Sequence, residues 1–348
     1  MSAFNIFRYI TFRSAYAAVT ALLISFLLGP LFIRMLKRRQ LTEGVREYVP
    51  ESHAAKAGTP TMGGLLILVA TLVPTLLWAR LDNDFIWLMI FATLWLGAVG
   101  FADDYLKVVK KRRKGLIARY KLTGQLLLGL VIGLYVYYTQ LNGLASDVEV
   151  PFLKDAVISL GAAYVLFVMI VITASSNAVN LTDGLDGLAI GLVILCALAF
   201  AAMSYVTGHV RFSDYLNIPY IAGTGELTVY CSALIGAGLG FLWFNSHPAE
   251  VFMGDTGSLA VGGALGALAI LIKKEIWLVI VGGLFVVIAA SVIIQIASYK
   301  LRGKRVFLMA PLHHHFQKKG WPESKVVIRF WIVGALFALV ALSTLKLQ

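Results

Sequence analysis

The sequence predicts an all-α integral membrane protein of about ten transmembrane helices, with both termini periplasmic. Three observations predict it. Of 348 residues, 59% are hydrophobic and only 14% are charged, whereas a soluble domain is typically about 45–50% apolar and roughly 25% charged. The mean hydropathy is +0.82. The apolar residues are also gathered into runs near the length, about 20 residues, that carries a helix across a bilayer core. A water-soluble or disordered chain is excluded.

The runs lie near 15–35, 63–80, 85–102, 122–140, 156–174, 186–206, 227–244, 257–272, 276–298 and 326–346. Pro30 and Pro74 fall inside the first two and should bend them, because proline removes a helix hydrogen bond. The segment Phe4–Ile10 lacks a charged leader and a small-residue cleavage site, so it reads as an interfacial lead-in to an uncleaved first span. The outer connection 207–226 reads as a solvated loop or hairpin. Cys196 and Cys231 lie in apolar runs and form no disulfide framework. With no repeat and no shift in composition, residues 1–348 read as one polytopic domain.

The net charge is +12, from 30 Lys and Arg against 18 Asp and Glu. Nucleic acid is not needed to explain it. Twenty of the basic residues fall in the connections after the first, third and ninth runs, and basic connections stay on the cytoplasmic side of a membrane. The cytoplasmic face is then built from 37–62, 103–121, 175–185, 245–256 and 299–325. Two of these, 175–185 and 245–256, contain no Lys or Arg and are rich in Asn, Asp, Gly, Ser and Thr.

Every polar cluster with chemical potential falls in one of these five connections. Asp103 and Asp104 close the third run, where two carboxylates oppose the helix dipole unless compensated. At about 100° apart on a helix, one can face a pocket while the other faces a cation; a solvated pair answering the basic run 107–114 is the plainer alternative. Asn177, Asn180, Asp183, Gly184 and Asp186 lie between the fifth and sixth runs. The glycines permit close backbone approach, and Asp183 and Asp186, three apart, share a helix face; simple helix capping leaves both asparagines unexplained. Asp255 opens the eighth run, either as a cap or as a Mg²⁺ ligand, since hard cations choose carboxylate oxygens. Phe252 suits interfacial packing or base stacking. His313, His314 and His315 accompany no metal-binding spacing, which favours contact with phosphate over structural zinc. Lys56 and Thr61 enter the second run beside glycines that allow a tight turn.

Acids, amides, imidazoles and lysines on one membrane face suit phosphoryl chemistry assisted by Mg²⁺. Like charges repel by about 4 kcal/mol at 4 Å for an effective dielectric of 20. Joining a lipid phosphate to a nucleotide pyrophosphate therefore calls for a cation at Asp255 and for basic groups such as Lys107, Lys121 and the histidines.

The stretches Lys56–Gly64, Gly100–Tyr105, Asn177–Leu188, Phe252–Ser258 and Pro311–His315 resemble the polyprenyl-phosphate N-acetylhexosamine-1-phosphate transferase superfamily, and within it the phospho-N-acetylmuramoyl-pentapeptide transferases. The resemblance covers nearly the whole chain. It implies transfer of phospho-MurNAc-pentapeptide from UDP-MurNAc-pentapeptide to undecaprenyl phosphate, giving lipid I and UMP, with Mg²⁺ as cofactor. It implies an enzyme of the bacterial inner membrane, a site facing the cytoplasm, and a homodimer. It also implies Asp103 as base or nucleophile, Asp104 as a second acid, Asp255 as metal ligand and His313 in the catalytic set. Lys56, Thr61, Asn177, Asn180, Asp183, Gly184, Asp186, Asn245 and Phe252 would line the uridine side. Lys107 and Lys121, with Arg119 as a rival, would meet phosphates, and His314 and His315 would complete the site. Gln317 stands where an acid often follows the histidines, and Ala174-Ser175-Ser176 where Gly-Thr-Gly is common.

A runner-up within the superfamily competes, and outside it a transporter or flippase and a non-catalytic membrane scaffold. A GlcNAc-1-phosphate transferase would share the lipid and the site. A transporter or flippase would carry ionisable groups deep in the bundle, and the span centres are nearly free of them.

Overall fold

The computed structural model describes residues 3–40, 58–112, 115–139, 144, 146–153 and 156–346. Lys56 and the rest of 41–57 lie outside them. Thirteen α-helices are found among the described residues: α1 (Ile10–Arg38), α2 (Gly64–Trp78), α3 (Asp84–Val108), α4 (Ala118–Thr139), α5 (Ala163–Thr182), α6 (Leu188–Thr207), α7 (Val210–Leu216), α8 (Leu227–Asn245), α9 (Gly254–Leu271), α10 (Glu275–Val281), α11 (Gly283–Arg302), α12 (Leu312–Lys318) and α13 (Glu323–Ser343). Nine of the helical segments are long and apolar enough to cross a membrane. The protein is an all-α integral membrane protein.

Helix α9 is the axis of the bundle. Every residue from Thr256 to Leu271 is buried, as expected of a helix that is apolar all round. Its small residues let neighbours come close, the usual basis of helix contact in lipid. A Cβ on Gly263 would stand 2.0 Å from Leu96 of α3, and one on Gly266 2.4 Å from Ser175 of α5. Near its start, a Cβ on Gly100 of α3 would stand 2.2 Å from the Asp255 carbonyl oxygen, and one on Gly64 of α2 2.1 Å from the Gly257 nitrogen. These contacts press α2 and α3 onto the first turn of α9, where the acidic motif sits. Outward, α1, α11 and α13 show apolar side chains such as Leu27, Leu31, Ile293, Ile296, Leu336 and Leu339.

Four expectations about elements are corrected. The second run forms a helix of fifteen residues, about 22 Å at 1.5 Å per residue, shorter than the roughly 30 Å of a bilayer core. The ninth run divides into α10 and α11 at Gly282-Gly283, where two poor helix formers meet. The fifth helix begins later and ends later than its run: α5 reaches Thr182, so Asn177 and Asn180 are helical. Residues 157–159 instead pair with 147–149 as the antiparallel strands β1 (Asp147–Glu149) and β2 (Val157–Ser159). The connection 207–226, read as a solvated loop or hairpin, contains helix α7 and a short 3-10 turn, Thr224–Glu226.

That turn carries a buried charge. Glu226 accepts two hydrogen bonds from the Arg13 guanidinium, at 2.6 and 2.5 Å, and one from the Arg80 N–H at 3.0 Å. Arg13 also donates to the Trp78 carbonyl. One bidentate pair thus joins α1, the end of α2 and the start of α8.

Candidate active site

Asp103 lies within α3, one turn before its end, and is completely buried. Its Oδ1 accepts the Leu116 N–H at 2.7 Å. Its Oδ2 faces two ammonium groups, Lys107 Nζ at 2.5 Å and Lys121 Nζ at 3.0 Å. Lys107 follows Asp103 by one helical turn, the spacing that aligns side chains on one face. Lys121 arrives from the first turn of α4.

Asp255 completes the cluster. Its Oδ2 is 2.5 Å from Lys121 Nζ and 3.3 Å from Lys107 Nζ. Its Oδ1 accepts from Asn180 Nδ2 at 2.9 Å, and the same amide donates to Ser258 Oγ at 2.8 Å. Two carboxylates from distant helices therefore share two lysines. Without those cations the carboxylates would repel by several kcal/mol at this effective dielectric.

Asp104 is bound to backbone instead. Its Oδ1 accepts the Asp255 N–H at 3.1 Å, and its Oδ2 accepts the Thr256 N–H at 2.9 Å and the Thr256 hydroxyl at 2.6 Å. A carboxylate from α3 so satisfies the unpaired amides at the start of α9 and favours its positive dipole end. The adjacent acids diverge as helical geometry expects: Asp103 faces the lysines, and Asp104 fixes the stretch of backbone that carries Asp255.

Thr61 is buried beside this junction; a Cβ on Gly254 would stand 3.0 Å from its Oγ1 and 2.6 Å from Asp104 Oδ2. Gly254 has φ +73°, a left-handed conformation that glycine adopts without penalty. The segment before α2 pairs with the α8–α9 connection, Phe252 N–H donating to Pro60 and the Gly63 and Gly64 N–H groups donating to Phe252 and Met253. This backbone pairing brings Thr61 and Phe252 to one place.

The histidines come from the far end of the chain. A Cβ on Gly184 would stand 2.5 Å from His313 Nε2 and 3.3 Å from His314 Nε2, so the α5–α6 turn and α12 meet there without room for a side chain. His313 is fully buried, and its ring centroid lies 4.3 Å from that of His314. His314 Nδ1 is 2.8 Å from Gln317 Oε1. His315 points elsewhere. Its Nδ1 accepts the Leu308 N–H at 3.1 Å, and its ring abuts Phe307 and Phe316. Partial burial, then nearby Lys319, holds its imidazole below the ordinary range, which keeps it an acceptor.

Asn177, Asn245 and Asp186 make contacts within the protein. Asn177 donates to Gln125 of α4 and to the Thr173 carbonyl. Asn245 accepts the Gly187 N–H and donates to the Val251 carbonyl. Asp186 holds His247 and the Ala249 N–H, and Asp183 caps α5 through its backbone. Arg119 is exposed and lies over Tyr120, so the cluster takes Lys121 rather than its rival. Gln125, Ser291, Gln295, His247 and Glu323 escaped sequence reasoning. Ser291 and Gln295 gave one signal, polar residues inside an apolar run: Gln295 grips the 306–307 backbone and Ser291 accepts the Leu312 N–H.

Two groups among the described residues could hold a metal ion: Asp103, Asp104 and Asp255, and Asp186, His247 and Glu323. The first fits a hard divalent cation. Asp103 and Asp255 offer oxygens that converge on exchangeable ammonium groups, a cation-shaped position with carboxylate donors.

A helical membrane bundle with distant acids and lysines drawn together at one end defines a membrane enzyme for anionic substrates. Residues 86–273 match Glycosyl transferase family 4, and residues 56–68 match phospho-N-acetylmuramoyl-pentapeptide-transferase signature 1. The chain is 58% identical over 347 residues to the phospho-N-acetylmuramoyl-pentapeptide-transferase of Granulibacter bethesdensis, covering 99% of this chain and 96% of that protein. It is 55% identical over 345 residues to that of Citrifermentans bemidjiense, with the same coverage. It is 53% identical over 348 residues to that of Desulfotalea psychrophila, covering 100% of this chain and 96% of that protein. The chain belongs to the phospho-N-acetylmuramoyl-pentapeptide-transferase family.

Proposed function

We propose that this chain transfers phospho-MurNAc-pentapeptide from UDP-MurNAc-pentapeptide to undecaprenyl phosphate, releasing UMP and forming lipid I. In this reaction an acceptor phosphate oxygen bonds to the sugar-linked phosphorus, and the bond from that phosphorus to the UMP oxygen breaks. The observation that carries the reading is the sharing of Lys107 and Lys121 by Asp103 and Asp255. Two anions can approach there only if positive charge is already organised.

Asp103 and Asp255 would hold Mg²⁺, which supplies charge neutralisation at the pyrophosphate. Lys107 and Lys121 would meet the phosphates once freed from the carboxylates. Asp103 is the reacting carboxylate, either taking the acceptor's proton as a base or attacking the sugar-linked phosphorus as a nucleophile. Asp104 positions Asp255 through its backbone. Asn180 orients the Asp255 carboxylate, while Thr61, Asp183, Gly184 and Phe252 form the nucleotide side. His313 and His314 would donate to the pyrophosphate or leaving group. Support comes from the hydrogen bonds and close approaches described above.

The twenty basic residues in the connections after the first, third and ninth runs support a site facing the cytoplasm from the bacterial inner membrane. Family likeness leads us to expect a homodimer, which cross-linking in native membranes tests. The decisive activity test offers purified protein undecaprenyl phosphate, Mg²⁺ and either UDP-MurNAc-pentapeptide or UDP-GlcNAc. UMP release with the first alone is expected; release with UDP-GlcNAc alone would overturn the substrate assignment. Withholding the lipid tests the role of Asp103: a phosphosugar trapped on the protein, lost in Asp103→Asn, marks it as nucleophile.

A further inference from the structure

The α5–α6 turn is gripped from outside by residues that the transferase reading leaves unused. Asp186, buried, has its Oδ2 2.9 Å from His247 Nδ1 and accepts the Ala249 N–H at 3.2 Å. Its own backbone N–H donates to Glu323 Oε1 at 2.8 Å, from the first turn of α13. The next N–H, of Gly187, donates to Asn245 Oδ1 at 3.1 Å. Four consecutive residues, 184–187, thus stand between α12, α13 and the end of α8.

Asp186, His247 and Glu323 have ligand atoms within 4.8 Å of one another, so a second metal site is the competing account. The hydrogen bonds decide between them. Asp186 Oδ2 and Glu323 Oε1 already accept backbone N–H groups, and a metal ion taking those oxygens would leave two partly buried N–H groups without these acceptors, at a cost in free energy. In the Asp103–Asp255 cluster the two Oδ2 atoms face side-chain ammonium groups instead. The first set is closed and the second is open to exchange.

We infer that His247 and Glu323 are positioning residues for the nucleotide side of the site. Together with Asp186 they lock the turn so that Gly184 is held against His313 and His314, where a Cβ would already stand 2.5 Å from an imidazole nitrogen. Glu323 acts as a backbone acceptor, not as a charge, and His247 acts as the side-chain partner of Asp186. Misplacing a ligand-facing turn by about 1 Å can cost a reaction about a hundredfold, so a clamp made from three separate segments has a function to serve. The inference rests on the transferase reading for what the turn touches.

The test compares Glu323→Ala with Glu323→Gln, whose side-chain oxygen can still accept the Asp186 N–H, and His247→Ala with His247→Asn, whose amide nitrogen can replace Nδ1. Each is measured for KM of UDP-MurNAc-pentapeptide, KM of undecaprenyl phosphate, and hydrogen exchange of the 184–188 amides. The alanine variants should raise the nucleotide KM about tenfold, leave the lipid KM within twofold, and speed exchange; Gln and Asn should restore both readouts. Wild-type KM and exchange in both alanine variants would overturn the clamp. So would a Glu323→Gln variant as impaired as Glu323→Ala, since charge would then be the requirement. If the wild type releases no UMP, the transferase reading falls, while the exchange comparison still decides the clamp.

Discussion

Lys121 Nζ lies 2.5 Å from Asp255 Oδ2 and 3.0 Å from Asp103 Oδ2, the two carboxylates that would hold a divalent cation. Lysine and metal should therefore exclude each other from Asp255 Oδ2. Lys121→Gln is expected to bind Mn²⁺ at least tenfold more tightly in the absence of nucleotide, as followed by the loss of free-ion paramagnetic signal. The same variant should lose about a hundredfold in kcat, the scale of removing one preorganised donor to developing charge. Unchanged or weaker Mn²⁺ binding would mean that the ammonium and the metal occupy separate places.

Gly184 gives a sharper steric test. An added methyl would collide with His313 Nε2 at 2.5 Å, and His313 is fully buried. Gly184→Ala should express and insert normally but lose about a hundredfold in kcat/KM. Activity within threefold of wild type would show that α12 yields easily.

His315 sets a pH limit on the same region. Its folded pKa lies below the ordinary value of 6.5, so the neutral ring is favoured by folding, and this contribution is complete above about pH 6.5. It is lost as pH falls from there through the depressed folded value, when protonation removes the lone pair that accepts the Leu308 N–H. Protection of the 306–308 amides, measured relative to their intrinsic exchange rate at each pH, should fall over that interval in the wild type. In His315→Ala it should be low throughout.

How much of this was legible in the sequence differs by element. The bundle was readable because apolar runs of span length have few alternatives in lipid. The five connections read as one face from charge sidedness; in the structure Asp255 meets Lys121, Asp104 meets Thr256 and Gly184 meets His313. Partner choice was largely hidden. Lys107, four residues after Asp103, is the one local mark that tells it from Asp104; the backbone role of Asp104 depends on where α9 begins relative to α3. Asn177 and Asn180 are three apart, yet the first reaches α4 and the second reaches α9, an outcome set by helix packing. The break at Gly282 was missed because an unbroken apolar run carries no polar mark of a bend.

The Arg13–Glu226 pair was also hidden, since each residue alone looks like an ordinary charge near a membrane edge. Both side chains are more than nine-tenths buried, at 8% and 7% exposed, and Glu226 serves Arg80 as well. Removing one partner of a buried pair strands the other charge and costs about 3–5 kcal/mol. Glu226→Ala should therefore lower the thermal unfolding midpoint in detergent by several degrees without changing KM for either substrate, because the pair lies at the opposite end of the bundle from Asp255. Replacing both residues by apolar ones, Arg13→Met with Glu226→Leu, removes the stranded charge and should recover most of the loss. A double variant no more stable than Glu226→Ala alone would show that the hydrogen bonds to Arg80 and Trp78, and not the charge pair, hold α1, α2 and α8 together.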